Sequence, residues 1–113
     1  RKERILQKGQ IFMISIYVFD KTGDFGENKD IAAELRNVKI KPSLEQNNEV
    51  IIDFSKVTLV TQSFIHALIS DPIRQYPERF FENIQFKGCT ELVRGIIETV
   101  VQYTMESIEQ AES

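Results

Sequence analysis

Residues Val50–Ile69 read VIIDFSKVTLVTQSFIHALI, and the fold follows from how the apolar pattern changes within them. Val50–Phe54 is apolar except for Asp53 and rich in β-branched residues, which reads as a buried strand. From Ser63 onward the apolar residues are Phe64, Ile65, Leu68 and Ile69, the spacing of a helix that buries one stripe. A short apolar step, Val57–Val60, and the polar triplet Thr61-Gln62-Ser63 lie between, at or near the helix N-terminus. A strand that feeds a helix is the repeating unit of an α/β fold.

The flanking sequence extends the same alternation. Ile11–Phe19 (IFMISIYVF) reads as a strand buried on both faces or nearly so. Lys8-Gly9 reads as a turn before it, with Arg4–Leu6 as a short edge strand. Asp20–Glu27, with two glycines, reads as a loop. Asn28 can cap a helix whose apolar stripe is Ile31, Leu35 and Val38, and Pro42 is expected to stop it. Asp71-Pro72 is expected to interrupt or kink the helix that starts at Ser63. Pro77-Glu78 can open a further helical turn with Phe80 and Phe81 as its apolar face. Ile84–Phe86 reads as the third major strand, ended at Gly88. Thr90 can cap a long last helix striped by Leu92, Val93, Ile96, Ile97, Val100 and Val101, with a polar tail from Glu106 expected to fray. The expectation is an α/β fold: a single small domain over residues 1–113, with a four- to five-stranded mixed sheet and about four helices packed mainly on one side. Its core is expected from Ile14, Ile16, Val18, Ile51, Ile52, Phe54, Leu68, Ile84, Phe86, Ile96 and Val100.

Composition narrows the function classes. With 42% hydrophobic and 27% charged residues in 113, the chain matches a globular domain and has too much apolar content for disorder. A net charge of -3 argues against a nucleic-acid surface, which is usually basic. The small basic clusters, Arg1-Lys2 with Arg4 and Lys39 with Lys41, lack the interleaved aromatics that stack bases. The single cysteine, Cys89, cannot form an internal disulfide and fits a reducing compartment. No apolar run is long enough to span a bilayer, and no cleavage pattern follows the first apolar stretch. The expected location is cytoplasmic, with neither nucleic acid nor membrane as a partner. A start at Arg1 rather than Met points to a fragment of a longer chain.

Chemistry-bearing constellations are sparse. One histidine, His66, and one cysteine cannot supply a zinc ligand set. Ser63 and His66, three residues apart, share a helical face, but a nucleophile and base need a convergent site around them. Gly23 and Gly26 do not form a phosphate-binding glycine motif, and Asp24, Glu27 and Asp30 make that loop acidic. No enzyme activity, cofactor or metal is expected. The remaining feature is the turn at Thr61, Gln62 and Ser63. A helix N-terminus gathers unpaired N–H groups and favours negative charge, so a phosphate on a hydroxyl there would be stabilised and would alter a docking surface. Capping of the helix by Thr or Ser is the simpler role for the same residues.

Three stretches carry a resemblance: DIAAELR (Asp30–Arg36), VIIDFSKVTLVTQSFIHALI (Val50–Ile69) and FFENIQFKGCTELVRGIIETV (Phe80–Val100). Together, over about residues 30–103, they resemble the STAS-like domains of unknown function of bacteria and their phages. More distantly they are similar to the anti-sigma factor antagonists, which are non-enzymatic switches that bind a GHKL-type ATPase kinase. In those relatives an Asp-Ser-Ser-Gly segment opens the helix, and a kinase phosphorylates serine within it. Laid on this chain, the segment falls on Thr61, Gln62, Ser63 and Phe64. The usual phosphoserine position is therefore Gln62, and a switch at this turn would have to use Ser63 or Thr61. Phe64 in the glycine position implies a helix start packed tightly on the sheet. The resemblance implies a regulatory protein-binding module docking through residues 61–65 and His66, with a GHKL-type ATPase or kinase as partner. The alternative is a structural or assembly domain of a larger protein, or a homodimer, motivated by the wide stripe of the last helix.

Overall fold

The computed structural model describes residues 12–112. The expected turn at Lys8-Gly9 and the expected edge strand Arg4–Leu6 lie outside the described residues. The strands β1 (Met13–Tyr17), β3 (Glu49–Asp53) and β5 (Ile84–Lys87) form one three-stranded sheet in the order β1-β3-β5. Both pairings are parallel, with Ile16 opposite Ile52 and Ile52 opposite Phe86. A second sheet has two strands, β2 (Phe25–Gly26) and β4 (Leu59–Val60), also parallel. The single mixed sheet read from the sequence is thus two parallel sheets. The supposed loop Asp20–Glu27 holds a turn of helix, α1 (Phe19–Thr22), and the strand β2. A two-residue strand is too short to leave a period in the sequence.

Parallel crossovers are right-handed almost without exception, so a strand order that always steps the same way puts the connecting helices on one face. Burial follows this rule. Ile16 and Val18, Val50, Ile52 and Phe54, and Ile84 face the helices and are buried. On the opposite face Met13 and Tyr17 are 61% and 57% exposed. Ser15, Gln85 and Lys87 are exposed there as well, and Ile51 is half-buried. The first strand is therefore not buried on both faces. Ile14, Phe86 and Ile96 are also half-buried rather than core, whereas Leu68 and Val100 are fully inside.

The helices depart from simple periodicity at both prolines. Asn28 caps α2 (Lys29–Leu35) through its Oδ1, which accepts from the N–H groups of Asp30 and Ile31. The helix does not stop at Pro42. It runs through a π-helical turn, Arg36–Ile40, into α3 (Lys41–Glu45). The π turn inserts one residue, as shown by the Lys41 N–H donating to the Arg36 carbonyl. The apolar stripe is shifted accordingly: Ile40 and Leu44 are buried, and Val38, expected in the stripe, is 64% exposed. Pro42 sits in the first turn of α3, where a missing N–H is tolerated. The helix α4 (Gln62–Gln75) likewise continues through Pro72. A proline removes the N–H that would meet the carbonyl four residues back. The carbonyl so affected is that of Leu68; one residue earlier, the Ala67 carbonyl accepts from Arg36 Nη1 at 2.8 Å.

The short helix α5 (Pro77–Asn83) precedes β5, and α6 (Glu91–Glu112) closes the chain, packed on α4. Thr90 caps α6, its Oγ1 accepting from the Val93 N–H at 3.1 Å. The helix continues past Glu106, where fraying was expected. Where α4 and α6 cross, the buried hydroxyls of Ser70 and Thr104 meet at 3.2 Å. Each satisfies the other, which removes the penalty of an unpaired buried polar group and sets the pairing of the two helices.

Candidate functional site

The sequence-selected turn lies where β4 passes into α4. Strand β4 is held beside β2: the Thr58 N–H donates to the Asp24 carbonyl at 2.9 Å and the Thr61 N–H to the Gly26 carbonyl at 3.0 Å. Thr61 has an extended backbone and caps α4, its Oγ1 accepting from the Phe64 N–H at 3.0 Å. The Thr61 carbonyl accepts from the Ile65 N–H. The hydroxyl of Thr61 is thus engaged in the cap, and the residue is half-buried.

The next residues divide into two sets. Phe64 and Ile65 are fully buried. Gln62, Ser63 and His66 are exposed. The Phe64 ring lies over Gly26, where a Cβ would stand 3.4 Å from the ring and 3.2 Å from a Val60 methyl. The absence of a side chain at Gly26 lets ring and strand approach closely. A helix start packed tightly on the sheet is what the phenylalanine implied, and Gly26 is its counterpart. Phe64 therefore anchors the turn from inside and does not belong to the surface a partner would touch. That surface is Gln62, Ser63 and His66, which line an open hollow of about 400 Å3.

Replacing Thr61 by alanine is expected to cost about 1 kcal/mol of stability, the usual effect of losing an N-cap oxygen. Urea denaturation measures it. Thr61→Ser keeps the oxygen and should recover most of the loss. An alanine variant as stable as the parent would show that the cap contributes nothing.

Ser63 and His66 share their hollow with no hydrogen bond between them. Among the described residues there is no group of three or more His, Cys, Asp or Glu side chains able to hold a metal ion. No helix among them is long and apolar enough to cross a membrane. Cys89 is half-buried after β5, beside Phe86, Arg94 and Ile97. Burial pushes its thiol pKa up, against a lowering influence of Arg94.

A second set of polar contacts, not anticipated from the sequence, joins the ends of β3 and β5. The Ser55 N–H donates to Asp53 Oδ1 at 2.8 Å. Hydrogen bonds from the Ser55 side chain and backbone hold the Asp53 carboxyl below the usual carboxylate range. The Phe54 N–H donates to the Lys87 carbonyl at 2.7 Å, and Gly88 follows with a φ of 70°. The available signals were Asp two residues before Ser, which favours a local side-chain turn, and a glycine directly after a strand.

A family model described as a STAS-like domain of unknown function matches residues 32–94. The match runs from α2 to the first turn of α6 and includes the whole turn at Thr61. No curated protein and no solved structure matches the chain.

Proposed function

We propose that this chain, which belongs to the family of STAS-like domains of unknown function, is a non-enzymatic regulatory module of the cytoplasm that docks on a protein partner through the start of α4. The observation that carries this reading is the division of the turn: Gln62, Ser63 and His66 are presented to solvent by a helix end whose Phe64 and Ile65 are fixed in the core. A surface held rigidly by core residues loses little conformational entropy on binding. The partner class is a GHKL-type ATPase or kinase, by analogy with the anti-sigma factor antagonists.

Of the two hydroxyls in the turn, Ser63 is the one available to a kinase. Thr61 would have to release the Phe64 N–H first. A phosphate on Ser63, the second residue of α4, would add up to about two negative charges next to the positive end of the helix dipole. The added charge would be tolerated by the fold and would change what the surface repels and attracts.

The test is binding of the purified chain to the GHKL-type ATPase of its host with ATP present, read by native mass spectrometry. The expected result is a complex and a phosphate on the chain, the phosphate lost in Ser63→Ala and the complex weakened in His66→Ala. Absence of a complex, or a complex indifferent to both substitutions, would overturn the reading.

A second reading, an assembly domain, draws on one observation: Leu92 and Tyr103 on α6 are 54% and 67% exposed. They lie three turns apart and so share a helical face. Sedimentation equilibrium distinguishes the two: a stable dimer dissociated by Tyr103→Ser favours assembly.

A further inference from the structure

At the far end of α4 from the candidate site, α5 carries a second surface with a different chemistry. Pro77, Phe81 and Met105 form the floor of an open hollow of about 390 Å3, and Glu78 and Glu82 form its rim. Phe81 is 50% exposed. Its ring is not loose: it meets the buried Phe80 ring edge to face, with centroids 5.3 Å apart. Arg79 ties the helix to the end of α3, its Nη1 donating to the carbonyls of Leu44 and Glu45 at 3.1 Å each. Of the neighbouring cations, Arg79 lines a hollow with Glu78 and Glu82 but gives its Nη1 to these carbonyls, and Arg74 donates to the Ser107 hydroxyl.

Of the two rim carboxylates, Glu78 lies in the first turn of α5, where the helix dipole favours an anion, and Glu82 disagrees with the local physics of the helix. Glu78 and Glu82 are four residues apart, an arrangement that destabilises like charges. Glu82 is also in the last turn of α5, where the helix dipole disfavours an anion. Neither has an ion-pair partner among the described residues. Among the described residues no hydrogen bond or ion pair to Glu82 offsets these costs. Local rules broken without a compensating contact are commonest at surfaces that serve a function. Exposed aromatic area next to unpaired carboxylates is complementary to an apolar side chain flanked by lysine or arginine.

We propose that the α5 face, formed by Phe81 with Pro77 and Met105 between Glu78 and Glu82, is a docking site for a basic amphipathic helix of a partner protein. Such a helix places an apolar anchor over Phe81 and its cationic flanks on the two carboxylates. The surface is preorganised by the Phe80 contact and the Arg79 clamp, so binding orders little that is not already ordered. It is separate from the Thr61 turn, and its failure would leave the proposal for that turn unaffected.

The test uses the full chain and three short helical peptides: one of lysine and leucine with segregated faces, its glutamate–leucine counterpart, and a lysine–serine peptide without an apolar face. Fluorescence anisotropy is expected to show binding of the lysine–leucine peptide alone, weakening as salt is raised. Phe81→Ala and the pair E78Q/E82Q should each weaken it about tenfold or more, as truncation of an interface anchor does. The pair E34Q/E98Q makes the same change in net charge at exposed positions elsewhere and should have little effect. Glu82→Lys should abolish binding without lowering Tm, since it removes a like-charge contact and places a cation at the helix end. No binding of the lysine–leucine peptide, equal binding of the glutamate–leucine or lysine–serine peptide, equal binding by Phe81→Ala, or equal weakening by the remote pair would each overturn the proposal.

Discussion

Phe64→Ala is expected to cost about 3–5 kcal/mol of stability, the range for removing a fully buried phenylalanine. The ring is entirely inside, so the substitution loses its transfer free energy and leaves a cavity. The cavity has little to fill it. One wall is Gly26, which has no side chain to move inward, and Val60 already lies beside it. Against a total of about 5–15 kcal/mol for a domain of this size, that loss is a large share. For a domain near 100 residues it corresponds to a fall in Tm of about 4 °C or more per kcal/mol. Ser63→Ala, one residue earlier and exposed, should stay within about 0.5 kcal/mol of the parent. Urea denaturation of both variants, with m unchanged, makes the comparison. A loss below about 1 kcal/mol for Phe64→Ala would mean that the ring is not the anchor of the turn. Because Gln62, Ser63 and His66 are held in place by that anchor, partner binding should fall with it even below the unfolding temperature.

Gly88→Ala comes second, at about 2–4 kcal/mol. A residue with a side chain loses about 1–2 kcal/mol in the left-handed region, and Gly88 has a φ of 70°. Steric overlap adds to this. A Cβ on Gly88 would collide with the Ser55 hydroxyl and stand 2.8 Å from the Ser55 nitrogen and 3.0 Å from Asp53 Oδ1. The Ser55 nitrogen is backbone, tied to Asp53 at 2.8 Å, so it cannot turn away as a flexible side chain would. Forcing atoms into a filled site costs typically about 1–3 kcal/mol. Gly95→Ala in the second turn of α6 is the control. A Cβ there meets nothing within 4 Å, and alanine should stabilise the helix by about 0.5–1 kcal/mol. Opposite signs for the same substitution at the two glycines are the expected outcome in thermal or urea unfolding. Equal effects would show that Gly88 is not constrained by the ends of β3 and β5.

The elements that could be read from the chain were those with local causes. The strand at Val50, the helix from Ser63, the caps at Asn28, Thr61 and Thr90, and the proline that opens α5 are each specified by a few neighbouring residues. The turn at Thr61 was legible for the same reason, whereas Phe64, expected within the docking stretch 61–65, is in the core. The face of the first strand was not legible. Ile11–Phe19 is nearly all apolar, so its period gives no sign that Met13 and Tyr17 point outward. Val38 shows the same limit. Its spacing from Ile31 and Leu35 is helical, but the π turn inserts a residue and moves the stripe to Ile40. Beyond that turn Ile40 and Leu44 are fully buried.

By itself, then, the sequence determined the alternation of strands and helices, the caps, the apolar stripe of the helix from Ser63 and membership of an α/β family. Each rests on interactions within a few residues of the chain or on summed apolar content. Only the tertiary structure decided that, among the described residues, the strands divide into two parallel sheets, Met13 and Tyr17 point away from the helices, and Phe81 is exposed between two carboxylates while its neighbour Phe80 is buried. These depend on which distant segments meet. A strand's hydrogen-bond partners and a side chain's burial are set by the surfaces that close over them, and those surfaces come from parts of the chain whose spacing carries no local period.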